Sequence, residues 1–131
     1  MGIYGARCQQ GVVSRAGYVV DRDRLLWEKP RLPARVDTLE ELLLAVPKNT
    51  PLRFEPKLGF HFYGSGTCLA MQEHGLAAVV IDALCYHNSP HAGVSTDSYS
   101  SARTFAAKWA GRLPVATSCA RIDKTGRIDL I

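Results

Sequence analysis

Four histidines, four cysteines and one aromatic, hydroxyl-rich run hold most of the reactive side chains in this 131-residue sequence. The densest stretch is residues 59–89, GFHFYGSGTCLAMQEHGLAAVVIDALCYHNS. Within it His61, Tyr63 and Ser65 alternate with Phe60, Phe62 and Gly64. Aromatic faces offer a flat apolar surface to a ligand, and hydroxyl and imidazole groups supply hydrogen bonds. These three are therefore candidate ligand-binding residues. The competing reading is that Phe60, Phe62 and Tyr63 simply pack in a core. His87 follows an apolar run and falls where a strand should end, at the edge where open α/β sheets place their ligands. An imidazole there suits a divalent transition metal; the plainer reading is a loop histidine bonded to backbone. Cys85 and His87 would share one side of a strand. With His91 and either His61 or Cys68 they suggest a zinc set, but no CxxC or HExxH spacing supports it. Asp21-Arg22-Asp23 matches the string DXD, in a segment that reads as a hairpin turn. Serine, histidine and aspartate are all present without a nucleophile-elbow motif.

The elements that must position these residues are partly legible. Residues 17–21 and 25–28 are apolar runs flanking Arg22-Asp23-Arg24, which predicts a β-hairpin. Pro30 and Pro33 then enforce an extended connector. Residues 36–46, VDTLEELLLAV, are ambiguous. Asp37 or Thr38 could cap a helix with Glu40 and Glu41 in its first turn. Equally, residues 42–46 could form a buried strand ended by Pro47. Residues 51–59 carry two prolines and read as loop. Residues 67–74 predict a short helix ended by Gly75, with His74 well placed against its C-terminus. Residues 76–84 predict a strand buried on both faces. Residues 97–110 are the clearest helix, with Tyr99, Ala102, Phe105, Ala106 and Trp109 on its apolar side. Residues 115–122 and 127–131 flank the turn Asp123-Lys124-Thr125-Gly126. Trp27 and Trp109 both read as core, and Cys68 and Cys85 as small buried hydrophobes.

Composition bounds the rest. With 47% hydrophobic and 21% charged residues the chain is globular in character. The net charge of +4 is scattered, with no basic run, so nothing points to nucleic acid. No apolar run approaches the ~18–20 residues that span a bilayer. The N-terminus lacks a signal-peptide layout, and Ala6 stands where a myristoylation motif needs Ser or Thr. Free thiols are expected and a cytoplasmic setting follows by default.

Residues 60–89 resemble the acceptor-side half of inverting, nucleotide-sugar-dependent glycosyltransferases of family 2. In that family a segment of the type FxFYGxDxCL leads into a helix ending in Gly, and a strand then ends in His. The run VDTLEELLLAVPKNTPLRFEP is similar to the strand and loop before that motif, and YSSARTFAAKWAGRLPVATSCARI to the helix after it. The resemblance covers residues 36–122. It implies a single domain over residues 1–131: N-terminal strands and a Pro-rich connector (1–35), the acceptor half (36–122), and a C-terminal turn with a strand or tail (123–131). It implies an α/β fold, a small mixed sheet with at least two helices, equivalent to the C-terminal half of a nucleotide-diphospho-sugar transferase. It also favours a strand over residues 42–46. The implied reaction is sugar transfer to a hydroxyl acceptor, with His61, Tyr63 and Ser65 on the acceptor and His87 toward a metal.

The departures are as informative. Gly66 stands where the family has the Asp that deprotonates the acceptor, and glycine has no side chain to do so. Glu55, Glu73 and Asp82 are the carboxylates that would have to substitute. The family's nucleotide-binding half, with its DXD carboxylates, has no counterpart among these 131 residues. A divalent metal, Mn or Mg, therefore enters only with a complementary nucleotide-binding half. Such a half or a second copy of the chain is the expected partner, since strands at residues 42–46 and 76–84 would present unprotected apolar edges. The alternatives are a non-catalytic interaction or oligomerisation module and a small metal- or anion-binding protein.

Overall fold

The computed structural model describes residues 1–28, 31–88 and 94–131. Its strands are β1 (Tyr4–Gln9), β2 (Val12–Asp21), β3 (Arg24–Glu28), β4 (Ala34–Val36), β5 (Thr38–Leu39), β6 (Ala78–Val80), β7 (Cys85–His87), β8 (Val115–Ala116), β9 (Ala120–Ile122) and β10 (Ile128–Leu130). Two α-helices, α1 (Tyr63–Glu73) and α2 (Thr96–Lys108), complete an α/β fold on a mixed sheet.

The long strand β2 organises the main sheet. Its first half pairs antiparallel with β1, which continues to β5. Its second half pairs with β3 across the two-residue turn Arg22-Asp23, and β7 joins it in parallel from Val19↔Cys85 to Asp21↔His87. The hairpin expected at residues 17–28 is therefore present. β8, β9 and β10 form a separate antiparallel sheet, and β4 pairs with β6.

Helix α1 starts four residues earlier than expected and takes in the Gly-Ser-Gly segment. Phe62, at φ 62°, precedes it and supplies no side-chain cap. The cap comes from far away in sequence, as Glu41 Oε1 accepts from Gly64 N at 3.0 Å. Gly75, at φ 73°, ends the helix as anticipated. Helix α2 is capped conventionally: Ser95 Oγ accepts from Ser98 N, with Asp97 in the first turn and Lys108 in the last. Its buried side is Ser98, Ser101, Ala102, Phe105 and Ala106, so Tyr99 points outward, against expectation. Two buried serines are tolerated on that face because each is bonded: Ser101 Oγ donates to Leu58 O at 3.0 Å, and Ser98 Oγ meets Ser95 Oγ at 2.9 Å.

Two apolar clusters flank α1. Leu69 joins Leu58, Phe105, Trp109 and Ile122 on the α2 side. Cys68 joins Ala16, Leu39 and Val80 on the sheet side.

Several expectations are corrected. Residues 42–46 form neither strand nor helix; only Leu44 makes an isolated bridge to Gly2. The chain turns at residues 41–42, and that turn is where Glu41 reaches Gly64. The long strand at residues 76–84 is reduced to β6, since the chain leaves β4 after Val80 and crosses to β2 as β7. His87 thus ends a short strand of a mainly antiparallel sheet, not a long parallel one. Trp27 is exposed, not core, and Cys85 is only partly covered. Phe60 is 88% exposed, whereas Phe62 and Tyr63 pack against the helical cluster.

Candidate functional site

The first turns of α1 and α2, the β8–β10 sheet and the start of β3 line a cleft of about 760 Å³. Glu40, Glu41, His61, Ser65, Ser98 and Thr117 contribute its polar lining, and Phe62, Val94, Ile128 and Leu130 much of its apolar wall. A mostly apolar concave site with a few convergent polar groups is the usual form of a small-molecule site.

Glu41 is its most perturbed group. Burial, and then the neighbouring Glu40 carboxylate, push its carboxyl up from an ordinary 4.5 to about 7. The hydrogen bonds from Gly64 N and from its own backbone N–H act in the opposite sense without cancelling this. Tyr63 sits behind it, its hydroxyl donating to Glu41 O at 3.3 Å while its ring packs edge-on against Phe54 at 5.4 Å. Glu40 is held differently, accepting from Ser118 Oγ at 2.6 Å and Ser118 N at 3.1 Å. One carboxylate is thus tied through Oε1 to a neighbouring loop. The other is bonded by backbone N–H groups alone, with its carboxyl raised to about 7, which suits a general base.

His61 is docked on the start of α2. Its Nε2 lies 3.2 Å from Ser95 Oγ, and both ring nitrogens lie 3.4 Å from Ser98 Oγ. Ser65 is buried on the first turn of α1 and faces the same cleft. Two of the three residues expected on an acceptor, His61 and Ser65, are therefore brought together, while Tyr63 lies behind the site. Cys119 also lines the cleft, but burial and then Glu40 raise its thiol, which disfavours the nucleophilic thiolate.

Gly66 does not face the cleft. A Cβ there would meet Leu58 Cδ1 at 3.4 Å, Trp109 Nε1 at 3.6 Å and Phe105 Cε2 at 3.8 Å. Trp109 Nε1 is buried with no hydrogen-bond partner among the described residues. A side chain at position 66 would enter the core beside that indole. At Gly64 a Cβ would instead lie 3.2 Å from Glu41 Oε1. Glu41 thus fills the space beside a glycine in this helix turn.

The metal reading is supported less well. His87 Nδ1 lies 3.1 Å from Asp21 Oδ1, which brings the histidine and the first residue of the DXD string together. Arg22 Nη2 is 3.4 Å from Asp21 Oδ2, a guanidinium placed where a cation would have to bind. Among the described residues no three His, Cys, Asp or Glu side chains gather around one point. The donor set at His87 does not by itself fit a divalent ion. The zinc reading meets the same obstacle: Cys68 is buried with its thiol raised to about 11, and His61 belongs to the other site. His91 lies outside the described residues.

The carboxylates that were to stand in for the missing Asp are elsewhere. Glu55 pairs with Lys108 Nζ at 2.9 Å, Asp82 accepts from the Tyr18 hydroxyl, and Glu73 ends α1. Glu41 was missed because Glu40-Glu41 read as first-turn residues of a helix. The signal available was two carboxylates set between Leu39 and Leu42 in an otherwise apolar segment.

No described helix is long and apolar enough to cross a membrane. Compared with protein-family models and with curated proteins, the chain matches none.

Proposed function

We propose that this chain is a glycosyltransferase-like acceptor domain, in which the cleft holds a hydroxyl-bearing acceptor and Glu41 receives the hydroxyl proton. The observation that carries the reading is the Glu41 carboxyl at the cleft, half-buried and accepting from Gly64 N at the start of α1. The order of motifs in residues 36–122 supports the reaction class. The acceptor oxygen forms its bond to the anomeric carbon as the bond from that carbon to the diphosphate breaks. The proton passes to Glu41 and the nucleoside diphosphate leaves. His61 and Ser65 orient the acceptor through hydrogen bonds, and Phe62 offers an apolar wall to the sugar ring. The nucleotide sugar arrives on a separate nucleotide-binding half. A divalent cation carried with it would neutralise the leaving diphosphate.

The test is a heteronuclear NMR titration of the chain with a panel of simple glycosides and oligosaccharides. Shifts at Glu41, His61, Ser65 and Ser98 are expected, and Glu41→Gln should keep binding. In parallel, calorimetry with UDP or GDP and Mn²⁺ should show no tight binding by the chain alone. Glycoside shifts that map away from the cleft would overturn the acceptor assignment. Low-micromolar nucleotide binding would overturn the division between two halves. The second reading, a non-catalytic interaction module, draws on a different region, the exposed apolar side chains of β3.

A further inference from the structure

β4 parts from the main sheet. It pairs with β6, and the place beside β1 is taken by β5. Asp37 N, just past β4, donates to Ala6 O at 2.8 Å and ties β4 to β1 at one end. Two hollows open beside that tie, of about 560 Å³ and about 230 Å³. Arg7, Arg35 and Val36 line both, so the two arginines stand where the hollows adjoin. Arg7 lies opposite Ser14 across the β1–β2 ladder. Ser14 and Ala16 share one face of β2, and Ala16 packs in the cluster that holds Val36. Arg7 is therefore on the side of the sheet that β4 covers. Arg35 lies between Ala34 and Val36, which both pack into that cluster, so strand alternation turns Arg35 out of it.

The charges along this groove are ordered. Among the described residues neither Arg7 nor Arg35 has an ion pair or a side-chain hydrogen bond. Arg15, which also lines the larger hollow, is by contrast bonded to Ser118 O and Ile131 O. Glu28 lines only the larger hollow and Asp37 only the smaller, so the arginine pair stands between two acids. Asp37 Oδ2 accepts from Cys8 N at 2.7 Å and leaves the arginines without a counterion. Gln72, in the smaller hollow, accepts from Arg112 Nη2 at 2.6 Å, which sets a third positive group behind that wall.

We propose that this groove binds a small phosphate monoester, with its phosphate between Arg7 and Arg35 and its polar remainder in the larger hollow. Guanidinium groups grip phosphate oxygens through paired N–H donors. Two of them match a phosphate monoester, with a charge of about −1.5 to −2 at neutral pH, better than a singly charged carboxylate. Gln9 and Ser14 offer neutral hydrogen-bonding groups to the rest of the molecule. Glu28 and Asp37 work against an extended polyanion, whose next phosphate would meet one of them. The site is separate from the cleft: Ser65 in the cleft and Gln72 in the groove are about 10 Å apart along the α1 axis. The sequence hides it because positions 7 and 35 fall in no basic run.

Heteronuclear NMR of the unaltered chain tests it, with inorganic phosphate, glycerol phosphate and glycerol as probes and no metal added. Both phosphates should give saturable shifts at Arg7, Ser14, Arg35 and Gln72 while Glu41 and His61 stay unmoved, and glycerol should shift none of them. Arg7→Gln and Arg35→Gln should each weaken glycerol phosphate binding by about tenfold or more, with circular dichroism confirming that they are folded. A short single-stranded oligonucleotide should bind no more tightly than glycerol phosphate. No saturable shift at the arginine pair, or binding unchanged in both variants, would overturn the proposal. Equal shifts at remote arginines such as Arg103 and Arg127 would mean an adventitious ion only, and a preference for the oligonucleotide would mean a nucleic-acid surface; either overturns it. The readout at positions 7 and 35 is independent of positions 41 and 61, so this proposal and the acceptor assignment fail separately.

Discussion

At the cleft, two adjacent carboxylates lie among Leu39, Phe62 and the starts of two helices; at the hairpin, Leu25, Trp27, Leu84 and Tyr86 lie in solvent. The two regions depart from the ordinary partition of polar and apolar residues in opposite directions. A buried carboxyl and an exposed apolar group are each unfavourable to the folded chain alone, and each is informative for that reason. Around the cleft, packing is dense: Phe105, Leu58 and Ile122 are fully buried and the polar groups between them are largely bonded. Around the hairpin, Leu25 and Trp27 of β3 are more than half exposed. The difference separates a region that holds a group at raised energy by rigid packing from one that leaves surface for another molecule to cover.

That contrast can be broken most forcefully at the core of the cleft region. Phe105→Ala removes a fully buried ring that joins α1 to α2, and a loss of about 3–5 kcal/mol is expected in urea unfolding. A loss below about 1 kcal/mol would mean that the cleft walls are not rigidly packed.

Next is the pH dependence of Glu41. Its carboxyl binds a proton more tightly folded than unfolded, being raised from 4.5 to about 7. The folded state therefore holds more protons between those values. The contribution is fully present below the unfolded value and is lost as pH rises through the folded one. At most about 3 kcal/mol is involved. Glu41→Gln should unfold at higher denaturant than the unaltered chain at about pH 8 and match it at about pH 4. Parallel pH profiles for the two proteins would show that Glu41 titrates normally.

The two glycines of α1 sharpen the comparison within one helix turn. A Cβ on Gly64 would come within 2.8 Å of Leu39 O and press on Glu41, so Gly64→Ala should cost about 1–3 kcal/mol. Gly66 has ordinary contact distances around its missing Cβ, so Gly66→Ala should gain about 0.5–1 kcal/mol from helix propensity. Gly66→Ser should exceed it by offering Trp109 Nε1 an acceptor. Equal effects at the two positions would contradict the placement of Glu41 beside Gly64.

The smallest effect belongs to the hairpin. Leu25→Ser, measured at low concentration, should alter stability by no more than about 0.5 kcal/mol, because the residue is already in solvent. A large loss would show that the side chain is packed within the monomer.

Local signals read correctly wherever their physics is local. The hairpin at residues 17–28, the stop at Gly75, the apolar side of α2 at Ala102, Phe105 and Ala106, and the turn ending at Gly126 all depend on residues within a few positions of one another. Residues 36–46 failed because the segment has no strong preference of its own. Its shape follows from Glu41 capping a helix that begins more than twenty residues later. Residues 76–84 failed because apolarity shows burial but not the partner strand, and two different partners divide the run. Of the site, His61 and Ser65 were legible as chemistry-bearing side chains on a Gly-rich segment. Glu41 and Ser98 were not, since nothing local brings residues 41, 61 and 98 together.

The sequence by itself determined the α/β character, the hairpin, both helices and the absence of a long apolar span. Those properties follow from composition and short-range periodicity. Only the tertiary structure decided that Glu41 becomes the titratable group of the cleft, that Gly66 faces the core, and that β3 is left as an edge. Each of these depends on desolvation or strand order. Both are set by which distant segments come to lie side by side, and neither is encoded in any window of neighbouring residues.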